Sequence, residues 1–336
     1  MRATMSRRQI LASALISVLA TAPLGATLAA EVETSKVSYG GSSWLGHYPV
    51  WIGIKKGFFE KRGLSVDWKL FGTSSARMGA LAAGDIDFAG TGSISALALM
   101  AAGSKAFYVV AAPESYATVE GIIATPEIKT VKDLKGKKLG VTFASSSHVL
   151  VLDVLEQAGL NPNKDVTLIN LPAGDTPSAF KAKQVDAVAT WTPAFNVLRA
   201  QENARVLLDD REFSLYKQYQ FGPGPDVLTV SRTFADKNPK ATAAFLDAFF
   251  EASEFITKEP AEAASLLQDL TQLPPEEQAN VLKDIEWTGR AEQQKIMARE
   301  GDFPKGLQAL ADFLVRHKQI DKAPKVDSWI KTQVLP

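Results

Sequence analysis

The sequence predicts a two-lobed α/β protein: each lobe is a βαβαβ-based mixed sheet with flanking helices, and a ligand crevice lies between the lobes. Three observations predict it. The chain has 336 residues, too many for one small core and suited to two domains of about 150 residues each. Its strand-like runs are short, β-branched and apolar, as in sheets covered on both faces. The pattern also occurs twice. One segment reads "KVSYG", "YPVWIGIKKGFFEKRGL", "SVDWKLF", "SSARMGALAAG", "DIDFAGTGS"; a later one reads "KKLGVTF", "HVLVLDVLEQAGL", "DVTLINL", "TPSAFKAKQ", "VDAVATWTP". Both run strand, helix, strand, short helix, strand.

The elements follow in order. Residues 1–30 open with the basic, acid-free "MRATMSRRQI" and continue with the apolar "LASALISVLATAPLGATLAA". This is the pattern of a cleaved secretory signal, with the cut expected beside Ala29 or Ala30. Pro23 and Gly25 interrupt the apolar run and argue against a membrane anchor. Arg7 and Arg8 resemble a twin-arginine export signal, and the general secretory route is the alternative. The mature product is expected outside the cytoplasm. Lobe one is assigned to residues 31–122 and 226–336, and lobe two to residues 123–225. The long helices of the two echoes are expected to stop at Gly63 and Gly159, as C-cap glycines do. "FGPGPDVLTV" reads as a turn and a returning strand. From Asn238 the pattern is helical, with Asn as cap and Pro239 at the first position. Further helices are expected near Pro260, Pro275 and Pro304, and a short one in "KVDSWIKTQVL". This tail has no lobe of its own and is expected to pack on lobe one.

Composition narrows the function. There are 37 basic and 37 acidic side chains, so no strong field draws the chain to nucleic acid. There are no cysteines, which removes disulfides, thiolate nucleophiles and cysteine metal sites. The three histidines, His47, His148 and His317, are too widely spaced for a zinc site. No metal and no cofactor are expected. Ser147 and His148 are neighbours at a helix start and point to different faces, which is poor geometry for a nucleophile and its base. There is no Gly-x-Ser-x-Gly elbow, and "GTGS" lacks the third glycine of a dinucleotide loop. No catalytic residue is assigned, and the chain is not read as an enzyme.

The loops after the strands carry the signal. In such lobes they face one crevice. They read "GGSSW", "GTSS", "GTGS", "ASSSH", "PAGDT" and "TWTP", rich in Gly, Ser and Thr and free of Lys and Arg. Backbone N–H groups at helix starts, with hydroxyls, can hold an anion without a formal positive charge. Plain N-capping accounts for any one loop, but three serines at Ser145–Ser147 exceed what one cap needs. Two acids stand alone at apolar strands, Glu120 and Asp226, where the chain passes between lobes. They are either acceptors for a ligand ammonium or members of structural ion pairs. Trp44 and Trp191 either add an aromatic wall with cation–π attraction or belong to the core.

"GFFEKRGLSVDWKLF", "ALAAGDIDFAGTGS", "TVKDLKGKKLGVTFASSSH", "VDAVATWTPA" and "SRTFADKNPKATAAFLDAF" together resemble the periplasmic substrate-binding proteins of ABC importers. The resemblance is to the branch for sulfonates, nitrate and thiamine precursors, and within it to the taurine-binding group. It covers nearly the whole mature chain. It rests on "SSSH" at Ser145–His148, "WTPA" from Trp191 and the Asp226 that enters the return strand. It implies the type II two-lobed fold, closing on its ligand by a hinge, and delivery to an inner-membrane permease with a cytoplasmic ATPase. It implies Ser93, Ser146 and Ser147 as the sulfonate seat, with His148 at the start of the same helix, and Glu120 and Asp226 as the amine seat. Ser145 is read as a cap. The expected solute is taurine, with alkanesulfonates, nitrate or a pyrimidine precursor as alternatives, and the expected state is a monomer. "GGSSWLGHYP" and "GPGPD" depart from the family's usual loops.

Overall fold

The computed structural model describes residues 35–116, 118–283 and 285–332. The expected signal segment lies outside them.

The first echo folds as β1 (Ser35–Gly41), α1 (Tyr48–Lys55), β2 (Leu64–Leu70), α2 (Ser74–Ala83), β3 (Phe88–Gly92), α3 (Ser93–Ala101) and β4 (Phe107–Ala111). A short strand, β5 (Glu114–Tyr116), leads across to the second lobe. That lobe comprises β6 (Glu120–Ala124), β7 (Lys138–Val141), α4 (Ser146–Gln157), β8 (Thr167–Asn170), α5 (Thr176–Lys181), β9 (Ala187–Trp191), α6 (Ala194–Arg199), β10 (Arg205–Asp209) and α7 (Ser214–Tyr219). The chain returns as β11 (Asp226–Ser231). The tail is α8 (Arg232–Lys237), α9 (Pro239–Lys258), α10 (Pro260–Thr271), α11 (Pro275–Lys283), β12 (Ile285–Trp287), α12 (Arg290–Ile296) and α13 (Asp302–Arg316).

The two five-stranded sheets have matching orders, β2-β1-β3-β11-β4 and β8-β7-β9-β6-β10. In each, three parallel strands of the echo are followed by one antiparallel strand that has just crossed from the other lobe. Crossing strands are therefore exchanged, and the expected boundary at residue 122 falls inside β6, which lies in the second sheet. Asp226 and Glu120 are the first residues of these two crossing strands. Asp226 pairs with Gly92 at the end of β3, and Glu120 pairs with Trp191 at the end of β9. The internal repeat thus puts the two lone acids at equivalent places, at the carboxyl ends of the parallel strands.

Local signals explain most boundaries. Thr73 accepts a hydrogen bond from the Ala76 N–H and caps α2. Ser145 accepts from the His148 N–H and donates to the Thr142 carbonyl, so it caps α4 and closes the turn before it. That helix begins at Ser146, two residues before His148. Gly159, with φ +75°, follows α4 as expected. Gly63, with φ +70°, instead closes the 3₁₀ turn Glu60–Arg62, because α1 already stops at Lys55 before the left-handed Gly57. Asn238 precedes α9 without capping it, since its side-chain amide donates back to the Phe234 carbonyl.

The tail divides between the lobes. Helices α9 and α10 cover the first sheet beside α1, where Phe245 stacks on Phe88 with ring centroids 3.9 Å apart. The last long helix departs from expectation. The apolar face of α13 packs on lobe two: Phe313 meets Phe213 at 6.1 Å, and the His317 Nε2 lies 3.1 Å from Glu156 of α4. Phe303, at the start of α13, meets Phe221 of the return crossing. Burial of this apolar stripe needs an apolar surface, and the ends of α4 and α7 supply one. The chain then turns back to lobe one, where Ile330 bridges Val109 of β4 and the Trp329 indole donates to the Ser104 carbonyl. The expected final helix is only the 3₁₀ turn Val326–Ser328.

Candidate ligand-binding cleft

The carboxyl ends of both sheets face a cleft of about 380 Å3, within the range of small-molecule sites. Lobe one contributes Ser42, Trp44, Thr73, Ser74, Arg77 and Ser95; lobe two contributes Glu120, Ser146 and Trp191; Asp226 stands where the chain crosses back. The return loop passes close enough that a β-carbon at Gly224 would stand 2.7 Å from the Ser146 Cβ and 3.3 Å from Ile94. The glycine of "GPGPD" therefore serves a close approach between the lobes.

Five of the eight residues selected from sequence line this cleft: Trp44, Glu120, Ser146, Trp191 and Asp226. The Trp44 indole N–H donates to Asp226 Oδ2 at 2.5 Å. Gly46 backs the same carboxylate so tightly that any side chain there would run into it. Burial raises the Asp226 pKa; hydrogen bonds from Glu114 and Trp44 and the charge of Arg77 oppose that rise. Glu120 is 1% exposed, and burial pushes its pKa up to about 7 against the hydrogen bonds of Ser147 and Ser146. No Lys or Arg forms a salt bridge with either acid among the described residues.

The other three sit elsewhere. Ser147 is fully buried behind Glu120 and donates its hydroxyl to Glu120 Oε1, as Ser146 does at 2.9 Å. A hydroxyl has one proton to give, and here both give theirs to the protein's own carboxyl. Ser93 is buried at the first position of α3; its N–H holds the Pro225 carbonyl at 2.9 Å, and its hydroxyl has no partner among the described residues. His148 turns away from the cleft. Its ring stacks on Phe143 at 4.8 Å, accepts from the Ala144 N–H and lines a separate depression with Arg316 and His317. Residues one apart at a helix start face different sides, which separates it from Ser147.

Arg77 was not selected from sequence. It lies one turn into α2, beyond the "GTSS" loop, and is 3% exposed. Its Nε donates to the Gly90 carbonyl at 2.5 Å and its Nη2 to Ser74 at 3.1 Å. Burial lowers its pKa, and the nearby Tyr39 and Asp226 oppose that. A signal was available: it is a lone cation in an otherwise small and apolar helix, four residues after the cap Thr73 and so on the same face. Cleft hydroxyls, one buried guanidinium and two buried carboxyls can together hold a ligand of mixed charge.

Residues 44–263 match the family model described as NMT1/THI5 like. The chain belongs to the NMT1/THI5-like family. Among the relatives of this NMT1/THI5-like chain is the putative aliphatic sulfonates-binding protein of Bacillus subtilis, 30% identical over 285 residues, covering 83% of this chain and 80% of that protein. The taurine-binding periplasmic protein of Escherichia coli is 28% identical over 276 residues, covering 80% and 82%. Among solved structures, the periplasmic aliphatic sulphonate binding protein SsuA from Escherichia coli superposes with a TM-score of 0.74 at 26% identity, covering 89% of this chain and 92% of that one. The two-lobed binding-protein fold expected from sequence is the fold observed.

Proposed function

We propose that this chain is the extracytoplasmic solute-binding component of an ABC importer and that it closes on a small sulfonate, preferentially the zwitterion taurine. The observation that carries this reading is the pair of buried carboxyls, Glu120 and Asp226, which face one small cleft from the starts of both crossing strands and have no Lys or Arg in a salt bridge with them among the described residues. The names of the relatives support the sulfonate class. In this reading the amine lies between Asp226 and Glu120, beside Trp44 and Trp191. The sulfonate lies toward Arg77, Ser74 and Ser95. A permease with its ATPase receives the ligand, and the protein carries out no chemistry on it. Residues 1–30 are the export signal, and the second lobe, from β6 to the return crossing before β11, moves as a unit.

A thermal-shift screen of the mature protein tests it, with taurine, ethanesulfonate, sulfate, β-alanine, aminoethylphosphonate and nitrate. A ligand at about 100 times its dissociation constant adds about 2.7 kcal/mol of stability. Taurine is expected to raise the melting temperature far more than ethanesulfonate, and Asp226→Asn to narrow that gap. Equal shifts for both sulfonates would refute the zwitterion preference. No shift with either would refute the sulfonate class, and turnover of any compound would refute the binding role.

A further inference from the structure

Behind each cleft acid stands a second buried acid. Glu114 opens β5, just past the edge strand β4, and Asp210 directly follows the edge strand β10. The strands β4 and β11 pair, as do β10 and β6, so the internal repeat places both acids alike. Glu114 is 3% exposed and Asp210 is fully buried. Among the described residues no side-chain donor meets any of their four carboxyl oxygens; the donors near them are the backbone N–H groups of Asp226, for Glu114, and of Glu120, for Asp210. Glu114 lies within hydrogen-bonding reach of the Asp226 carboxyl, and Asp210 lies beside Glu120. Two ionised carboxylates cannot bond to each other. With one proton between them, one becomes a donor and the other an acceptor.

We propose that Glu114 and Asp210 each hold a proton at neutral pH and act as the positioning residues of the cleft: Glu114 donates its O–H to Asp226, and a neutral Asp210 leaves Glu120 the one ionisable charge of its wall. Asp226 then has two donors, Glu114 and Trp44, which hold it as a singly charged acceptor aimed at the ligand. Each wall presents at most one negative charge. The cleft then carries no more than two negative charges beside the Arg77 guanidinium, which suits a ligand with one ammonium and one anionic head.

The electrostatic surroundings agree. Burial, and next the neighbouring cleft carboxylate, pushes both back acids well above the carboxylate range. The charged and titratable neighbours of the first pair are Arg77, which lines the cleft, and Tyr39, which is buried in the core of lobe one. On its other side Glu114 lines a second cavity of about 530 Å3, bordered by Glu286, Glu292, Lys295, Glu300 and Asp302. Asp210 has Asp209 and Tyr216 as its further titratable neighbours.

The test is carbon-13 NMR of the mature protein labelled at the Asp and Glu carboxyls. At about pH 8, where exposed acids are fully ionised, one Glu and one Asp resonance are expected at protonated shifts. The first should vanish in Glu114→Gln and the second in Asp210→Asn. A wild-type spectrum with every carboxyl ionised at that pH overturns the proposal even if neither variant folds. A protonated resonance that survives both variants overturns the assignment. A second arm rests on the sulfonate reading: Glu114→Leu removes the donor to Asp226 and should cut the preference for taurine over ethanesulfonate about tenfold. An unchanged preference overturns the positioning role. If neither sulfonate binds the wild type, the proposed ligand falls while the NMR result still decides the protonation.

Discussion

At the scale of single residues, the cleft is defined by carboxyls held in costly surroundings. Glu120 shows the consequence. Its pKa is about 7 in the fold and 4.5 ordinarily. As pH rises from 4.5 toward 7, the unfolded chain loses this proton first, so the fold loses stability through that window and does not regain it above. The full effect is on the order of 3 kcal/mol. Glu120→Gln is therefore expected to melt with the wild type near pH 4 and above it near pH 8, as calorimetry at the two values would show. A variant that melts below the wild type at both would mean that the charge is compensated by a cation. Ligand ammonium acts in the opposite sense, since it favours the ionised form. Both lone acids were legible as oddities in an apolar context. Arg77 was legible too, as a lone cation in a small and apolar helix, but attention to loops overlooks a side chain that reaches back into the loop from the helix after it.

At the scale of elements, "ASSSHVL" divides its three hydroxyls between two tasks. Ser145 caps α4, and Ser146 and Ser147 hold Glu120 from the other side. Cap loss costs about 1 kcal/mol. Ser145→Ala should lower the unfolding free energy by about that amount while leaving the Glu120 titration in place; urea melts across pH would show it. A change in the pH slope instead would mean that Ser145 also serves the carboxyl. The cap was legible because Ser before an apolar helix has a local meaning. The orientation of Ser146 and Ser147 was not, because their partner is 26 and 27 residues away in sequence and on a different strand.

At the scale of the whole molecule, the tail ties the lobes together. Helix α13 leaves lobe one, buries its apolar stripe on lobe two, and the chain behind it returns to the edge of β4. Phe313 is 1% exposed at the centre of that contact. Truncating a buried Phe typically costs about 3–5 kcal/mol. Phe313→Ala is expected to destabilise by an amount in that range, measured by denaturant melts, and a loss under about 1 kcal/mol would mean that α13 is not anchored there. Its amphipathic pattern showed that one face is buried. It could not show against which lobe, because both present apolar surface.

The sequence by itself determined the two-lobed α/β architecture, its duplication and the place of the acids at the lobe crossings. These follow from periodicity, turn chemistry and chain order, all of which act over a few residues or repeat along the chain. Only the tertiary structure decided which groups meet. It exchanged the crossing strands, set Ser146 and Ser147 on Glu120, turned His148 outward, brought Arg77 to the cleft and placed Glu114 and Asp210 behind the two acids. Such pairings depend on burial and distance between residues far apart in the chain, and local sequence carries no record of either.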